Sequence, residues 1–267
     1  MIFNSSNNNV DLIQENNVVV MKHSSDWVGT NPGSITGCVA YWDFNTSGTS
    51  TTDIINNNVG SIVGALFDNG RYENGLSFNG NSDYVSLGNV GINSQQDHSF
   101  SAWIWLNDTW ASQGQIIGGR RGDVTSLGVT STRTLECRED DEVLTGLVVI
   151  PTKQWIHVIY TFKYNGLGAT NCTQICYING SLDKTRISSN YQDVWSVSNT
   201  WIGWESRFNF YFNGKIDEVG IYNKVLTNLE IQQIYNNGYP KFKTLQTAGN
   251  ITINNLNNNN LIIKEVN

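Results

Sequence analysis

The feature that most constrains this chain is an acidic pair set inside an apolar run near its C-terminal end. Ile216, Val219, Ile221 and Val225 read as a strand, and Asp217-Glu218 interrupts it. Two carboxylates in a buried-looking strand need a partner, a metal or an exposed edge. The strand leads directly into a helix signal. Thr227 and Glu230 have capping-box spacing, and Leu226 and Ile231 sit where a hydrophobic staple closes the first turn. Gly238 then stops the helix and Pro240 follows.

Most of the remaining sequence alternates as β-structure. Around residue 102, Phe100, Ala102 and Ile104 fall on one face, while Ser101, Trp103 and Trp105 fall on the other. A strand apolar on one face and aromatic on the other lies under a second layer or lines a groove. The run from Trp155 to Phe162 is nearly all apolar and reads as a central strand. Cys176 to Leu182 reads as a strand followed by an Asn179-Gly180 hairpin turn. The chain has 267 residues, 25 Gly and only 3 Pro, and it over-uses Asn. That composition suits short strands joined by tight turns, in one large β-sandwich or two small domains.

Four segments carry a resemblance. Gly37-Cys38-Val39-Ala40-Tyr41-Trp42-Asp43-Phe44-Asn45 is an aromatic-rich opening strand. Gly75-Leu76-Ser77-Phe78-Asn79-Gly80-Asn81-Ser82-Asp83-Tyr84-Val85 follows it. Phe100 to Leu106, with Trp155-Ile156-His157-Val158 later, form central strands, and the acidic strand with its capped helix closes the set. In this order they resemble the laminin-G-like, concanavalin A-like jelly-roll family. The resemblance implies an all-β fold: an antiparallel β-sandwich jelly roll with one short C-terminal helix and polar flanking arms. The expected organisation is an N-terminal polar arm over residues 1–36, the sandwich over 37–240 and an Asn-rich C-terminal β-arm over 241–267. Ile251-Thr252-Ile253 and Leu261-Ile262-Ile263 read as two short strands of that last arm. Neither arm has enough apolar residues for a core of its own. Each is expected either to dock, on the sandwich or on another copy, or to fray.

The same resemblance implies one structural calcium at the sandwich edge, with ligands at Asn45, Asp83 and Asp217. Asn45 stands where the family usually has Asp, which removes one charge from that set. In the alternative, Asp217 and Glu218 cap backbone amides or pair with Lys215 or Arg71. The fold also hosts glycoside hydrolases, which need two carboxylates flanking the scissile bond. Their alternating Glu-x-Asp-x-x-Glu pattern does not occur. Its nearest match, the acidic run from Glu136 to Glu142, reads as a solvated loop or a surface cation site. His23, His98 and His157 show no triad or metal spacing, and His157 reads as a core or groove imidazole. Arg121-Gly122-Asp123 reads as a chance tripeptide in a loop.

Saccharides offer an apolar ring face for stacking and hydroxyls for planar amides. Glycan sites therefore pair Trp or Tyr with Asn, Asp and Gln. Trp110, Trp195 and Trp204 each stand in polar surroundings and are the candidate ligand-binding residues; the alternative is that they plug the core or its rim.

Net charge is −7 and the isoelectric point about 4.9, which argues against a nucleic-acid partner. No run has the apolar length to span a bilayer. The N-terminus lacks the basic start and apolar core of a secretory signal. Display on a virion released by lysis or non-classical export would place the chain at an extracellular or virion surface; an intracellular role is the third option. The four cysteines, Cys38, Cys137, Cys172 and Cys176, are either free buried thiols or bridged to neighbouring strands, Cys176 to Cys137 for instance. The functional expectation is a non-enzymatic recognition module for a glycan or a surface protein. An alternative is a structural assembly protein that self-associates or attaches to a larger assembly through its arms. A glycoside hydrolase ranks third.

Overall fold

A computed structural model describes residues 32–236, apart from 94, 122, 140, 167–170, 190 and 192–198. Outside that range it describes the backbone of six short strands, and side chains 120, 121, 123 and 124 are also outside the description. The chain divides into two compact units, one of residues 1–29 with 240–267 and one of residues 30–239.

In chain order the N-terminal strands are β1 (Phe3–Asn4), β2 (Val10–Glu15) and β3 (Val18–His23). The sandwich unit holds β4 (Cys38–Trp42), β5 (Ser50–Thr52), β6 (Val59–Val63), β7 (Leu66–Asn69), β8 (Asn74–Asn79) and β9 (Tyr84–Gly88). It continues with β10 (His98–Leu106), β11 (Gly114–Arg121), β12 (Asp123–Val129), β13 (Leu135–Glu139), β14 (Glu142–Thr145) and β15 (Trp155–Tyr164). It ends with β16 (Cys172–Ile178), β17 (Ser181–Ser188), β18 (Asn199–Ile202), β19 (Trp204–Glu205), β20 (Phe210–Tyr211), β21 (Asn213–Tyr222) and helix α1 (Asn228–Asn236). The C-terminal strands are β22 (Leu245–Gln246), β23 (Ile251–Ile253) and β24 (Ile263–Glu265).

The sandwich has two antiparallel sheets. The first runs β17-β16-β15-β10-β21-β8-β7, with β4 also on β21; the second runs β14-β13-β12-β11-β18-β9-β6-β5. Their inner faces enclose one core that includes Trp42, Phe44, Phe78, Phe100, Phe162 and Phe212. Phe100, Ala102 and Ile104 point into it, and Trp103 and Trp105 lie on the other face, as the alternation requires. The Asn179-Gly180 turn joins β16 to β17 with φ of 48° and 75°, the left-handed pair that a two-residue hairpin needs.

Strand β21 resolves the acidic pair. One edge pairs with β10 along most of its length. Its other edge pairs with β8 through Asn213–Ile216 and with β4 through Val219–Tyr222. Between these halves the β10 pairing slips, from Ser101↔Gly220 to Trp103↔Asp217. Glu218 is the extra residue of this bulge and takes φ of 54°. Both carboxylates are buried. Asp217 Oδ2 accepts the Tyr72 amide at 3.0 Å and Oδ1 the Glu218 amide at 2.8 Å. Glu218 accepts the Tyr41 hydroxyl. Burial and the neighbouring Glu218 charge push that hydroxyl well above the usual tyrosine range, so it remains a donor.

The helix forms as its caps dictate. Thr227 Oγ1 accepts the Glu230 amide at 3.3 Å, and Glu230 Oε2 accepts the Thr227 amide at 2.9 Å. Leu226, Ile231 and Ile234 bury against Ile159, Tyr177 and Tyr222 on the outer face of the first sheet. Ile35, just after a 3-10 turn at Pro32–Ser34, joins the same cluster, so the compact unit begins ahead of residue 37. Gly238 and Pro240 lie outside the described residues.

The terminal segments pair with one another. β1, β2, β3 and β22 form one small sheet, in which Leu245 faces Val19 and Gln246 faces Val18. β23 and β24 form a separate hairpin. All four cysteines are free. Burial pushes the Cys38 thiol up to about 12 and the Cys172 thiol to about 11, which leaves both protonated.

His157 is 1 % exposed and packs between Trp103 and Tyr235, at ring distances of 5.1 and 5.9 Å. Its Nδ1 has no hydrogen-bond partner among the described residues. Burial, reinforced by the Arg71 charge, pulls its pKa down from 6.5 to about 3. The unfolded chain therefore takes up a proton that the folded chain refuses. Stability contributed by the neutral ring is full above pH 6.5 and falls as pH drops toward 3. His157→Phe is expected to flatten that decline. Urea denaturation at pH 7, 5 and 4, compared with the parent, checks the result.

Candidate functional site

The outer face of the second sheet carries the candidate site. One row runs in register through Val143, Arg138, Ser126, Gly118, Trp201, Ser86 and Ser61. Between Arg138 and Trp201 it holds only Ser126 and Gly118, small buried residues that leave a trough in the sheet, and Glu205 of the following hairpin lies over Gly118. Gly128 extends the floor, since a Cβ there would lie 2.4 Å from Gln115 Oε1.

A hairpin made of β19 and β20 folds back over this trough from the end of β18. Gly203 makes the departure possible. Its φ is 83°, and a Cβ would meet the Phe78 ring at 2.4 Å. The hairpin sets Trp204 beside Trp201 at 5.1 Å, beside Tyr84 at 5.0 Å and stacked on Tyr211 at 5.7 Å. These four rings are all half-buried and form a continuous aromatic wall. At the hairpin tip Phe208 is 40 % exposed, stacks on Phe210 at 5.4 Å, and lies under the guanidiniums of Arg138 and Arg207.

The polar groups of the trough are of two kinds. The first are engaged. Glu205 is fully buried, and its two oxygens accept the amides of Arg207 and Phe208, which fixes the hairpin turn. Glu136 accepts Arg138 Nε at 2.6 Å and the Gln113 amide. The second kind are unpaired. Gln115 is fully buried with neither amide atom paired among the described residues, and the Ser126 hydroxyl and Trp204 indole N–H are also without partners. Each such group costs about 1–3 kcal/mol when left unmet. These groups are sealed from solvent, while the four rings of the wall remain partly exposed.

Of the expected ligand residues, Trp204 stands in this wall. Trp110 does not. It is 8 % exposed, its indole N–H donates to the Thr130 carbonyl at 2.9 Å, and its ring packs on Phe212 at 5.2 Å. Its polar loop position hid a core plug, so the expectation of a stacking platform at Trp110 is corrected. Trp195 lies outside the described residues. Trp201, Tyr84 and Tyr211 were not singled out from the sequence. The available signal was the alternation of Thr200 and Ile202, both buried, around Trp201.

The expected calcium set is not brought together. Asn45 Oδ1 accepts the Asn74 amide at 3.1 Å, and Asp217 holds Tyr72, both at the start of β8. Asp83 holds the Asn79 amide at 3.0 Å and the Ser82 hydroxyl at 3.2 Å, at the other end of that strand. A strand of this length separates its ends by roughly 17 Å, too far for one cation. Among the described residues no group of three or more His, Cys, Asp or Glu gathers around a point. The three residues do not fit one calcium.

The acidic run is not a solvated loop either. It spans the end of β13 and the start of β14, and both Glu136 and Glu139 are buried. Glu139 Oε1 lies 2.9 Å from His98 Nε2 and accepts the Thr125 and Tyr160 hydroxyls at 2.7 and 3.1 Å. Leu135, Cys137 and Glu139 alternate inward, a period that the charges around them obscured. Arg121 and Asp123 face one another at the end of the β11–β12 pair, and Gly122 lies outside the described residues.

A family model described as the concanavalin A-like lectin/glucanases superfamily matches residues 79–232. The chain belongs to this superfamily. No curated protein sequence matches it significantly. Among solved structures it is similar to domain 4 of an extracellular arabinanase from Geobacillus stearothermophilus, solved with arabinotriose. The two are 20 % identical with a TM-score of 0.57, over 74 % of this chain and 98 % of that one. It is also similar to the binding domain of Paraclostridial Mosquitocidal Protein 1, at 16 % identity and a TM-score of 0.60, over 75 % of this chain and 52 % of that one. A Trypanosoma rangeli sialidase shares 14 % identity with a TM-score of 0.59, over 74 % of this chain and 33 % of that one. At these identities the likeness is one of fold, and the chain spans about half of the toxin domain and a third of the sialidase.

With both Asp217 oxygens facing amide protons and Asp83 at the far end of β8, excess chelator is expected to leave the melting temperature unchanged. A clear fall on chelation, reversed by added calcium, would show a stabilising ion and overturn this.

Proposed function

We propose that this chain is a non-enzymatic glycan-binding module whose ligand lies in the trough of the second sheet. The observation that carries the proposal is the wall of partly exposed rings formed by Tyr84, Trp201, Trp204 and Tyr211. Partly exposed aromatic rings take the C–H face of a sugar. The arabinotriose-bound arabinanase domain and the toxin binding domain among its fold relatives support this reading. Glu136 and Glu205, the acids beside the wall among the described residues, are each held in hydrogen bonds. We place the module at an extracellular or virion surface, where glycans and surface proteins are met.

Trp204→Ala is expected to lower glycan binding by at least about tenfold while the domain stays folded, with a smaller fall in melting temperature than Trp110→Ala because Trp204 is only half-buried. Trp110→Ala is expected to destabilise the domain by roughly 3–5 kcal/mol, as loss of a buried indole does. A glycan array and thermal melting on the same two variants read both effects. Normal binding by a folded Trp204→Ala variant would sink the trough as the site.

A second reading, a scaffold that joins neighbouring copies or a larger particle, draws on the sheet that the two termini form with each other. Removal of residues 1–29 and 240–267 is expected to leave a folded, glycan-binding sandwich, because its core lies within 30–239. Light scattering before and after the deletion tests the scaffold. Loss of a defined oligomer supports it, and an unchanged mass removes it.

A further inference from the structure

We propose a second saccharide site on the opposite side of the sandwich, a corner formed by Trp105 and Trp155 that takes a neutral sugar. The two residues face one another across β10 and β15. The row continues from Trp105 to Lys215 and on to Ser77, across β21 and β8. All four side chains are half-buried, so the row is neither core nor free surface.

What covers the rest of this face makes the row distinctive. Helix α1 lies over Ile159, Tyr177 and Tyr222. One residue pair away from the row, Trp103 is closed off by Tyr235, stacked at 5.9 Å, and by the Arg71 guanidinium at 4.5 Å. Trp105 and Trp155 are half-buried, and among the described residues their one ring contact is with each other, with no guanidinium over either. Their rings stand 6.0 Å apart at 62°, which makes a partly exposed corner. A pyranose or furanose ring can lay its C–H face on one indole and its edge on the other.

Charge selects the class of sugar. Lys215 Nζ bonds Asp68 Oδ2 at 2.8 Å beside the corner. The hydrogen bond from Lys215, with the Asn69 amide, holds the Asp68 carboxyl below its ordinary value, so the carboxylate stays charged. The pair presents ammonium protons and carboxylate lone pairs side by side with no net charge. Vicinal hydroxyls fit that arrangement, being donor and acceptor at once. A sialylated or uronic sugar gains no unmatched cation here.

The site is independent of the trough, which lies on the other sheet, so the test separates them. The full chain is labelled with 5-fluorotryptophan, and the Trp105 and Trp155 signals are assigned by Trp→Phe variants. Arabinotriose, xylotriose, cellotriose and sialyllactose are then titrated in turn. At least one neutral sugar is expected to shift both signals, in the parent and equally in Trp204→Ala. Trp155→Ala should weaken that binding by about tenfold or more. If Trp155→Ala melts early, Lys215→Gln carries the test, because it leaves the rings in place and removes the ammonium; it should weaken the same binding several-fold. Three results overturn the proposal. One is no shift with any neutral sugar. Another is a shift lost in Trp204→Ala, which would assign all binding to the trough. The third is a shift that follows protein concentration without sugar, which would put a second copy on this face. Loss of trough binding alone would sink the function proposed above and leave this site standing.

Discussion

Strand β21 holds the sandwich together because it bonds three neighbours at once. A flat strand has two edges and, over ten residues, would keep one partner on each. The bulge at Glu218 bends β21 midway and lets its second edge pass from β8 to β4. That change of partner brings the opening strand of the domain against its closing strand and shuts the core at Trp42, Phe78 and Val219. The acidic pair is the local cause. Asp217 anchors the turn at Tyr72, and Glu218 adopts a left-handed backbone, strained for a side chain of its kind by about 1 kcal/mol, while its carboxylate is held by Tyr41. Charges that look misplaced in an apolar strand are what set its path.

Much of this was legible in the sequence where one physical rule dominates. The capping box at Thr227 and Glu230 is a local hydrogen-bond exchange and needs no tertiary context, so it appears where its spacing puts it. Alternation sorted Phe100, Ala102 and Ile104 from Trp103 and Trp105, because each side of that strand meets a different layer. The Asn179-Gly180 turn follows from the dihedrals those residues tolerate. What failed was inference about polar residues in loops and runs. Glu136 and Glu139 looked solvated because their partners, Arg138 aside, are remote in sequence: Gln113 for one, His98, Thr125 and Tyr160 for the other. The aqueous look of Asn107 to Gln113 likewise concealed that Trp110 turns back to the Thr130 carbonyl.

The candidate site was half legible. Trp204 stood out as an aromatic among polar neighbours. Its companions did not, because Tyr84, Trp201 and Tyr211 come from three separate strands and are joined only by sheet register and the fold-back at Gly203. Register is a non-local quantity, and nothing near Trp201 says that Gly118 and Ser86 flank it. The calcium set fails for the related reason that residues marked by a family motif were assigned to one place. Here the motif residues brace two different turns, at the two ends of β8.

The turn at Gly203 has a wider consequence. Trp201 belongs to the sheet, whereas Trp204 and Tyr211 belong to the hairpin, and Ile202 and Gly203 stand between the two sets. The width of the trough is therefore set largely by about ten residues at the end of β18 and by how Gly203 and Glu205 seat them on the sheet. Substitutions or length changes between Trp204 and Tyr211 would move one wall against the other without opening the core. A scaffold arranged this way separates the residues that keep it folded from those that choose what it holds, so its selectivity is free to drift while its stability stays where it is.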